Sequence, residues 1–166
     1  MCGFFSVYSF QKKLDYKHLE SSANLIRHRG PDQEKNYFNQ NFYSKFFRLK
    51  ILDLSNEAMQ PMMDLNKNYL LLFNGEIYNF KELNQSKLDS KIKNKKSDTA
   101  TLFNLLIKYG DKTLDIIDGM FSFVFFDFKK KKLIFARDRF GIKPLYFHLS
   151  DNHLIFCSEI KPILSF

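Results

Sequence analysis

Residues 120–137, MFSFVFFDFKKKKLIFAR, set two apolar runs of strand length on either side of a short lysine tract. So short a gap between extended segments closes as a hairpin. Lysines 129–132 therefore read as a solvated turn and the flanking runs as antiparallel strands. Further extended runs bracket the chain: CGFFSVYS (2–9), FYSKFFRLKIL (42–52), PLYFHL (144–149) and HLIFCSE (153–159). NYLLLFNGEIYN (68–79) reads as an apolar strand running into a glycine turn, preceded by a loop around Gln60-Pro61. Two segments break the pattern with helical spacing. One starts at Tyr16 with Leu19, Ala23 and Ile26 on a face and stops at Gly30-Pro31. The other runs from Ser97 as N-cap through Leu102, Leu105, Leu106 and Tyr109 to Gly110. DSKIKNKK (89–96) reads as a solvated loop. Strands outnumber helices, which predicts an α+β layered architecture of antiparallel sheets covered by helices.

The chain has 166 residues, one domain's worth, with 20 Phe and no Trp, so its core must be built largely from phenylalanine. A formal net charge of +8 points toward nucleic acid or an anionic membrane. The distribution argues otherwise, because most of that charge is lysine spread through surface turns. The arginines lie apart, at Arg27, Arg29, Arg48, Arg137 and Arg139, where a rigid planar fork has a geometric use. Two cysteines, Cys2 and Cys157, have neither disulfide-framework nor metal-ligand spacing, which fits a reducing cytoplasm. The N-terminus lacks a basic segment followed by a long apolar one, and the apolar runs are strand-length. Secretion and membrane spanning are not expected.

The chemistry begins at MCGFF. A Met followed by a small residue is trimmed by methionine aminopeptidase, which would leave Cys2 first, with a thiol and a free amine on one Cα. An α-amino group of pKa about 7.7–8.0 is a base suited to a thiol of pKa about 8.5. The alternative is that Cys2 is a small apolar residue starting a strand. In FNGEIYN, Asn74-Gly75 offers an amide and a backbone N–H to a developing oxyanion, and Glu76 offers a carboxylate to an ammonium; an ordinary hairpin turn with a solvated Glu is the alternative. Arg48, within an apolar strand, needs an anion, either a substrate carboxylate or a structural Asp such as Asp53. Asp98 stands in the first turn of a helix, where the dipole favours an acid for structural reasons alone. Together these groups suit an amino acid with a side-chain carbonyl.

Ordered along the whole chain are MCG, RHRGPD (27–32), RLKILD (48–53), QP (60–61), FNGEIYNF (73–80), SDT (97–99), DGMFSFVFFD (118–127), ARDRFGIKPLYF (136–147) and SEIKPIL (158–164). This set resembles the glutaminase domain of the glutamine-hydrolysing asparagine synthetase family, a class II glutamine amidotransferase with an N-terminal nucleophile. The resemblance implies one domain over 1–166, folded as a four-layer αββα sandwich of two antiparallel sheets. It implies that Cys2 attacks the glutamine δ-carbonyl with its own amine as base. Asn74 and Gly75 would form the oxyanion hole. Arg48, helped by backbone around Ile51 and Leu52, would bind the α-carboxylate, and Glu76 and Asp98 the α-ammonium. No metal or organic cofactor is implied for this half. ATP and Mg would serve a synthetase domain or subunit that receives the ammonia and amidates a carboxylate. Aspartate is the family default; a sugar acid of surface polysaccharide is an alternative, as is a non-catalytic binding module with the same fold.

Two motifs, RHRGPD and ARDRFG, read as ordering loops around the site, with substrate contact as the alternative, His28 as scaffolding and Cys157 as core. Ala100 follows SDT where the family commonly has Glu, so the capping box lacks its partner, at a cost of up to about 1 kcal/mol. Phe46 and Phe47 precede Arg48 where polar residues are usual. No Gly-rich phosphate loop occurs, and the chain is expected to be a separately expressed half or a split subunit.

Overall fold

The computed structural model describes residues 1–11, 13–50, 58–89 and 97–166. In chain order its elements are β1 (Gly3–Ser9), α1 (Tyr16–Asn24), β2 (Gln33–Phe38), β3 (Phe42–Arg48), β4 (Met62–Met63), β5 (Tyr69–Ile77) and α2 (Phe80–Ser86). There follow α3 (Asp98–Tyr109), β6 (Gly119–Asp127), β7 (Lys132–Arg137), β8 (Tyr146–Leu149), β9 (His153–Cys157) and α4 (Lys161–Ser165). They form two compact units, Met1–Lys50 with Pro144–Phe166, and Ile51–Lys143. Among the described residues no helix is long and apolar enough to cross a membrane.

The first unit holds a five-stranded sheet in the order β2-β3-β1-β9-β8, antiparallel throughout. Alternation along β1 sends Phe5 and Val7 to one face, where they meet Tyr43 and Phe47 of β3 and Ile155 and Cys157 of β9. Helix α1 covers that face with Leu19 and Ala23, and Ile26 completes the cluster. Asp15 caps the helix, its carboxylate accepting from Lys17 N at 2.9 Å. The helix ends at Asn24, earlier than Gly30-Pro31 predicts, and a 3-10 turn takes up Arg27–Arg29. The two phenylalanines before Arg48 serve opposite faces: Phe47 joins the α1 cluster, and Phe46 is buried on the other side with Phe4 and Phe156. Cys157 is fully buried core, as expected, and burial pushes its thiol up to about 12.

The second unit holds a four-stranded antiparallel sheet, β4-β5-β6-β7. The lysine tract is the expected hairpin turn between β6 and β7, which pair from Asp127 opposite Lys132. Leu71, Phe73, Phe121, Phe123 and Phe125 line one face, against Leu102, Phe103, Leu105 and Leu106 of α3 and Leu83 of α2. Ser97 caps α3, its Oγ accepting from Ala100 N at 3.3 Å. Gly110 ends the helix at φ +62°, the left-handed region that glycine enters without penalty. The missing capping-box acid has not prevented the helix start from forming, because the other half of the box remains.

Asn74-Gly75 is not the predicted turn. Both residues lie inside β5, in register with Ser122 and Phe121, and the turn follows Ile77. Gly75 is there for space: a Cβ on it would stand 2.3 Å from Met120 O and 2.7 Å from Phe121 Cα. Close approach of two backbones, rather than a special dihedral, excludes a side chain here.

Candidate active site

Within the first unit, Cys2 immediately precedes β1 and is partly buried. Its thiol donates to Leu49 O at 3.5 Å, and Leu49 N donates to Sγ at 3.4 Å. Burial pushes this thiol up from its ordinary value; the Leu49 N–H, the terminal ammonium, and the guanidinium groups of Arg48 and Arg29 oppose that rise without cancelling it. At neutral pH the group is therefore a thiol in need of a base. Met1, which separates the terminal amine from Cys2, is 53% exposed.

Arg48 ends β3 at 5% exposure, the only described arginine in a strand core. Its Nη1 donates to Gln33 Oε1 at 2.9 Å. Asp53, the alternative anionic partner for Arg48, lies outside the described residues, as do Ile51 and Leu52. RHRGPD organises this end of the unit, as predicted. Arg29 Nε donates to Cys2 O at 3.0 Å, His28 Nε2 is 3.0 Å from Glu159 Oε1, and Asp32 accepts from Lys50 N at 2.8 Å.

The second unit carries the remaining candidates. Along β5 the odd-numbered residues turn their N–H groups off the edge away from β6. Tyr69 N donates to Asp64 Oδ1 at 2.8 Å, Phe73 N to Gln60 Oε1 at 2.5 Å and Ile77 N to Asp98 Oδ2 at 3.2 Å. The uninterrupted register from Tyr69 to Ile77 makes Gly75 N–H point the same way, between the groups held by Gln60 and Asp98. Asn74 is 3% exposed, and its Nδ2 is buried with no hydrogen-bond partner among the described residues. A buried amide donor left unmade costs about 1–3 kcal/mol. Here the unmade donor adjoins an outward backbone N–H, a pair able to receive a localised negative charge.

Glu76 and Asp98 are neighbours in this unit. Burial raises the Asp98 carboxyl; hydrogen bonds from Ile77 N and from Thr99 N and Oγ1 oppose the rise, and the Glu76 charge adds to it. Two neighbouring carboxylates, one buried and raised in part by the other's charge, form a natural seat for a cation. Among the described residues no group of three or more His, Cys, Asp or Glu is placed to hold a metal ion. ARDRFG is a loop organiser, as predicted: Asp138 accepts from the backbone N–H groups of Phe121, Phe140, Ile142 and Lys143.

The sequence reading missed three contributors. Gln60 binds both backbone groups of Phe73, its Nε2 donating to the carbonyl at 3.0 Å, and so fixes the strand next to Asn74. The QP motif was the only signal for it. Leu49 contacts the thiol through backbone alone, which no side-chain pattern encodes. Glu159 sits in the SEIK motif without any local reason to matter.

Comparison with known proteins places the chain in a family. A family model described as "Glutamine amidotransferase domain" matches residues 1–166. The chain is 37% identical to "Asparagine synthetase [glutamine-hydrolyzing] 2" of Bacillus subtilis over 99% of its own length and 22% of that protein's. It is 36% identical to "Putative asparagine synthetase [glutamine-hydrolyzing] 2" of Methanocaldococcus jannaschii, over 99% of this chain and 35% of the relative. It is 34% identical to "Asparagine synthetase B [glutamine-hydrolyzing]" of Escherichia coli, over 99% and 30%. The chain thus spans between about a fifth and about a third of the length of these curated relatives. Among solved structures it matches the glutamine phosphoribosylpyrophosphate amidotransferase of B. subtilis, complexed with ADP and GMP, at TM-score 0.71 and 17% identity. A structure titled as the allosteric regulatory enzyme of purine biosynthesis matches at TM-score 0.76 and 17% identity; each covers 99% of this chain and 43% of the other. At that identity the likeness shows the fold alone, and it is the expected α+β one, two antiparallel sheets with helices. With the family model matched from end to end, the chain belongs to the glutamine amidotransferase domain family.

Proposed function

We propose that this domain hydrolyses glutamine to glutamate and ammonia through a γ-glutamyl thioester on Cys2. The reading is carried by Asn74, whose Nδ2 is buried without a partner among the described residues while its neighbour Gly75 sends an N–H off the strand edge away from β6. Ser6, Arg29, Ser44 and Thr113 also bury a polar atom without a partner among the described residues; Asn74 differs in standing beside an outward backbone N–H. A tetrahedral oxyanion would complete it, and an oxyanion-hole donor is worth roughly 10²–10³ in kcat.

Removal of Met1 puts the amine on the same Cα as the thiol. That amine takes the thiol proton as Sγ attacks the δ-carbon of glutamine, and returns it to the leaving nitrogen as the C–N bond breaks and ammonia departs. Water, deprotonated by the same amine, then cleaves the thioester and restores the thiol. Burial of Cys2 gives the base its purpose, because it keeps the resting group protonated. Arg48 pairs with the substrate α-carboxylate, with backbone at Ile51 and Leu52 assisting, and Glu76 and Asp98 hold the α-ammonium. These contacts grip the amino-acid end, which is the same in glutamine and in the transition state.

Ammonia passes to an ATP- and Mg-dependent synthetase domain or subunit that amidates a carboxylate, aspartate being the acceptor that the relatives' names favour. This domain spans 1–166, needs no metal or organic cofactor of its own, and works in the cytoplasm. The test is glutamate release from glutamine by protein shown by mass to have lost Met1, alone and with a synthetase partner. Absence of release in both conditions would sink the reading and leave a non-catalytic module.

A further inference from the structure

The SEIK motif is unexplained by the chemistry above, yet its first two residues reach the start of the chain. Ser158 takes both backbone groups of Phe4: Ser158 N donates to Phe4 O at 3.0 Å, and Phe4 N donates to Ser158 Oγ at 3.0 Å. Glu159 Oε1 accepts from Arg29 Nη1 at 3.0 Å, and Arg29 Nε donates to Cys2 O at 3.0 Å. Arg29 is nearly enclosed, with 9% of its side chain exposed against 25% for Glu159. Its stem fills the space where a Cβ on Gly3 would lie, 2.9 Å from Cδ and 3.0 Å from Cβ.

The arrangement answers a physical problem at Cys2. The ladder of β1 with β3 starts at Gly3 opposite Phe47, so Cys2 lies before the first paired residue. A terminal residue outside its sheet frays unless something ties it. In the glutaminase reading both reacting groups, thiol and amine, hang on the Cα of Cys2, so the orientation of its peptide sets both. The Cys2 carbonyl is held by Arg29 Nε and Glu159 holds Nη1, while Nη2 is buried with no hydrogen-bond partner among the described residues, so these two bonds fix the guanidinium. Without that anchor Arg29 would regain the rotamer freedom of a long side chain.

Resting on the assignment of Cys2 as nucleophile, we infer that Glu159 is a positioning residue that orients Cys2 through Arg29. It touches neither substrate nor the reacting atoms. The bond joins residues 130 positions apart and brings the end of the domain to bear on its first residue.

The test is a double-mutant cycle on the purified, processed chain: Glu159→Ala, Arg29→Ala, the pair together, and Glu159→Gln, which keeps an acceptor oxygen. Each is read by kcat and KM for glutamate release, by the rate of Cys2 alkylation with iodoacetamide measured by intact mass, and by melting temperature. The expectation for Glu159→Ala is a loss of about ten- to hundredfold in kcat, the scale of a small misplacement of reacting groups, with KM within about threefold. Alkylation should slow in parallel, Glu159→Gln should recover most of both losses, and the double variant should be no worse than Arg29→Ala. Unchanged kcat and alkylation in Glu159→Ala, losses that multiply in the double variant, or losses explained wholly by a smaller folded fraction would each overturn the inference. Should Glu159→Ala fail to fold, Glu159→Gln against Arg29→Ala decides, because a positioning role requires the first to outperform the second. Wild type that alkylates at Cys2 yet releases no glutamate would refute the glutaminase reading instead, and the alkylation rates would still judge Glu159.

Discussion

The Asp98 carboxylate accepts a hydrogen bond from Ile77 N at 3.2 Å, which fastens the first turn of α3 to the edge of β5 one residue beyond Glu76. A helix N-terminus and a strand edge thus place two carboxylates together. Burial raises the Asp98 carboxyl, so its proton is taken up at a higher pH than an unburied aspartate would take it. Protonation removes the charge that would hold an ammonium. Glutamine kcat/KM should therefore fall with acid as Asp98 protonates. Asp98→Asn should lose about 2 kcal/mol or more of substrate binding, roughly thirtyfold in kcat/KM and chiefly in KM, and its acid limb should move down. The sign reverses for the ligand-free fold. A carboxyl raised on folding lends stability below its unfolded value and loses it as pH rises through the folded one. The melting temperature of wild type relative to Asp98→Asn should thus decline with rising pH.

Asn74→Ala tests the oxyanion assignment. The expected result is a fall of about 10²–10³ in kcat with KM little changed. Stability should be nearly retained, because Nδ2 makes no hydrogen bond among the described residues and the substitution breaks none there. A variant that loses activity only through a raised KM would place Asn74 on the ground-state substrate rather than on the oxyanion.

Gly75→Ala separates packing from chemistry in the same strand. The added methyl meets Met120 O at 2.3 Å, a backbone atom with no rotamer to change. Destabilisation of about 1–3 kcal/mol is expected, measured by chemical denaturation, with β5 and β6 forced apart at Phe121.

Asp138→Ala tests the loop organiser. Four backbone N–H groups lose their acceptor, and a cost of about 1–3 kcal/mol is expected by denaturant titration. Burial acts to raise this carboxyl, but the hydrogen bonds from Lys143, Ile142, Phe121 and Phe140 together hold it below its ordinary value. A depressed carboxyl stabilises above its unfolded value and loses that contribution as pH falls through the folded one. The stability gap between wild type and variant should therefore narrow in acid.

Much of this was legible in the sequence, where local physics decides. Ser97 and Gly110 bracket α3 because a side-chain oxygen and a left-handed residue solve the end groups of a helix. The strands announced themselves through Phe-rich alternation, and the lysine tract through its length. Strand β2 escaped notice because its residues, QEKNYF, lie at a sheet edge with mostly exposed side chains and carry no apolar period. Helix α2 was too short to establish one. Asn74-Gly75 was misread as a turn because the dipeptide usually makes one, and only the partner strand reveals that Gly75 is needed for room. The link from Glu159 to Arg29 could not be read at all, since nothing local marks two residues so far apart as neighbours.

Glutamine hydrolysis through Cys2 requires that residue to be processed and reactive. Intact mass of the purified protein, before and after a glutamine-like electrophile that alkylates active-site thiols, tests it most directly, with Cys2→Ala as control. Loss of Met1 and a single adduct absent from the control are expected, with Cys157 unmodified because it is fully buried. Complete processing with no adduct, or an adduct that persists in Cys2→Ala, would contradict it.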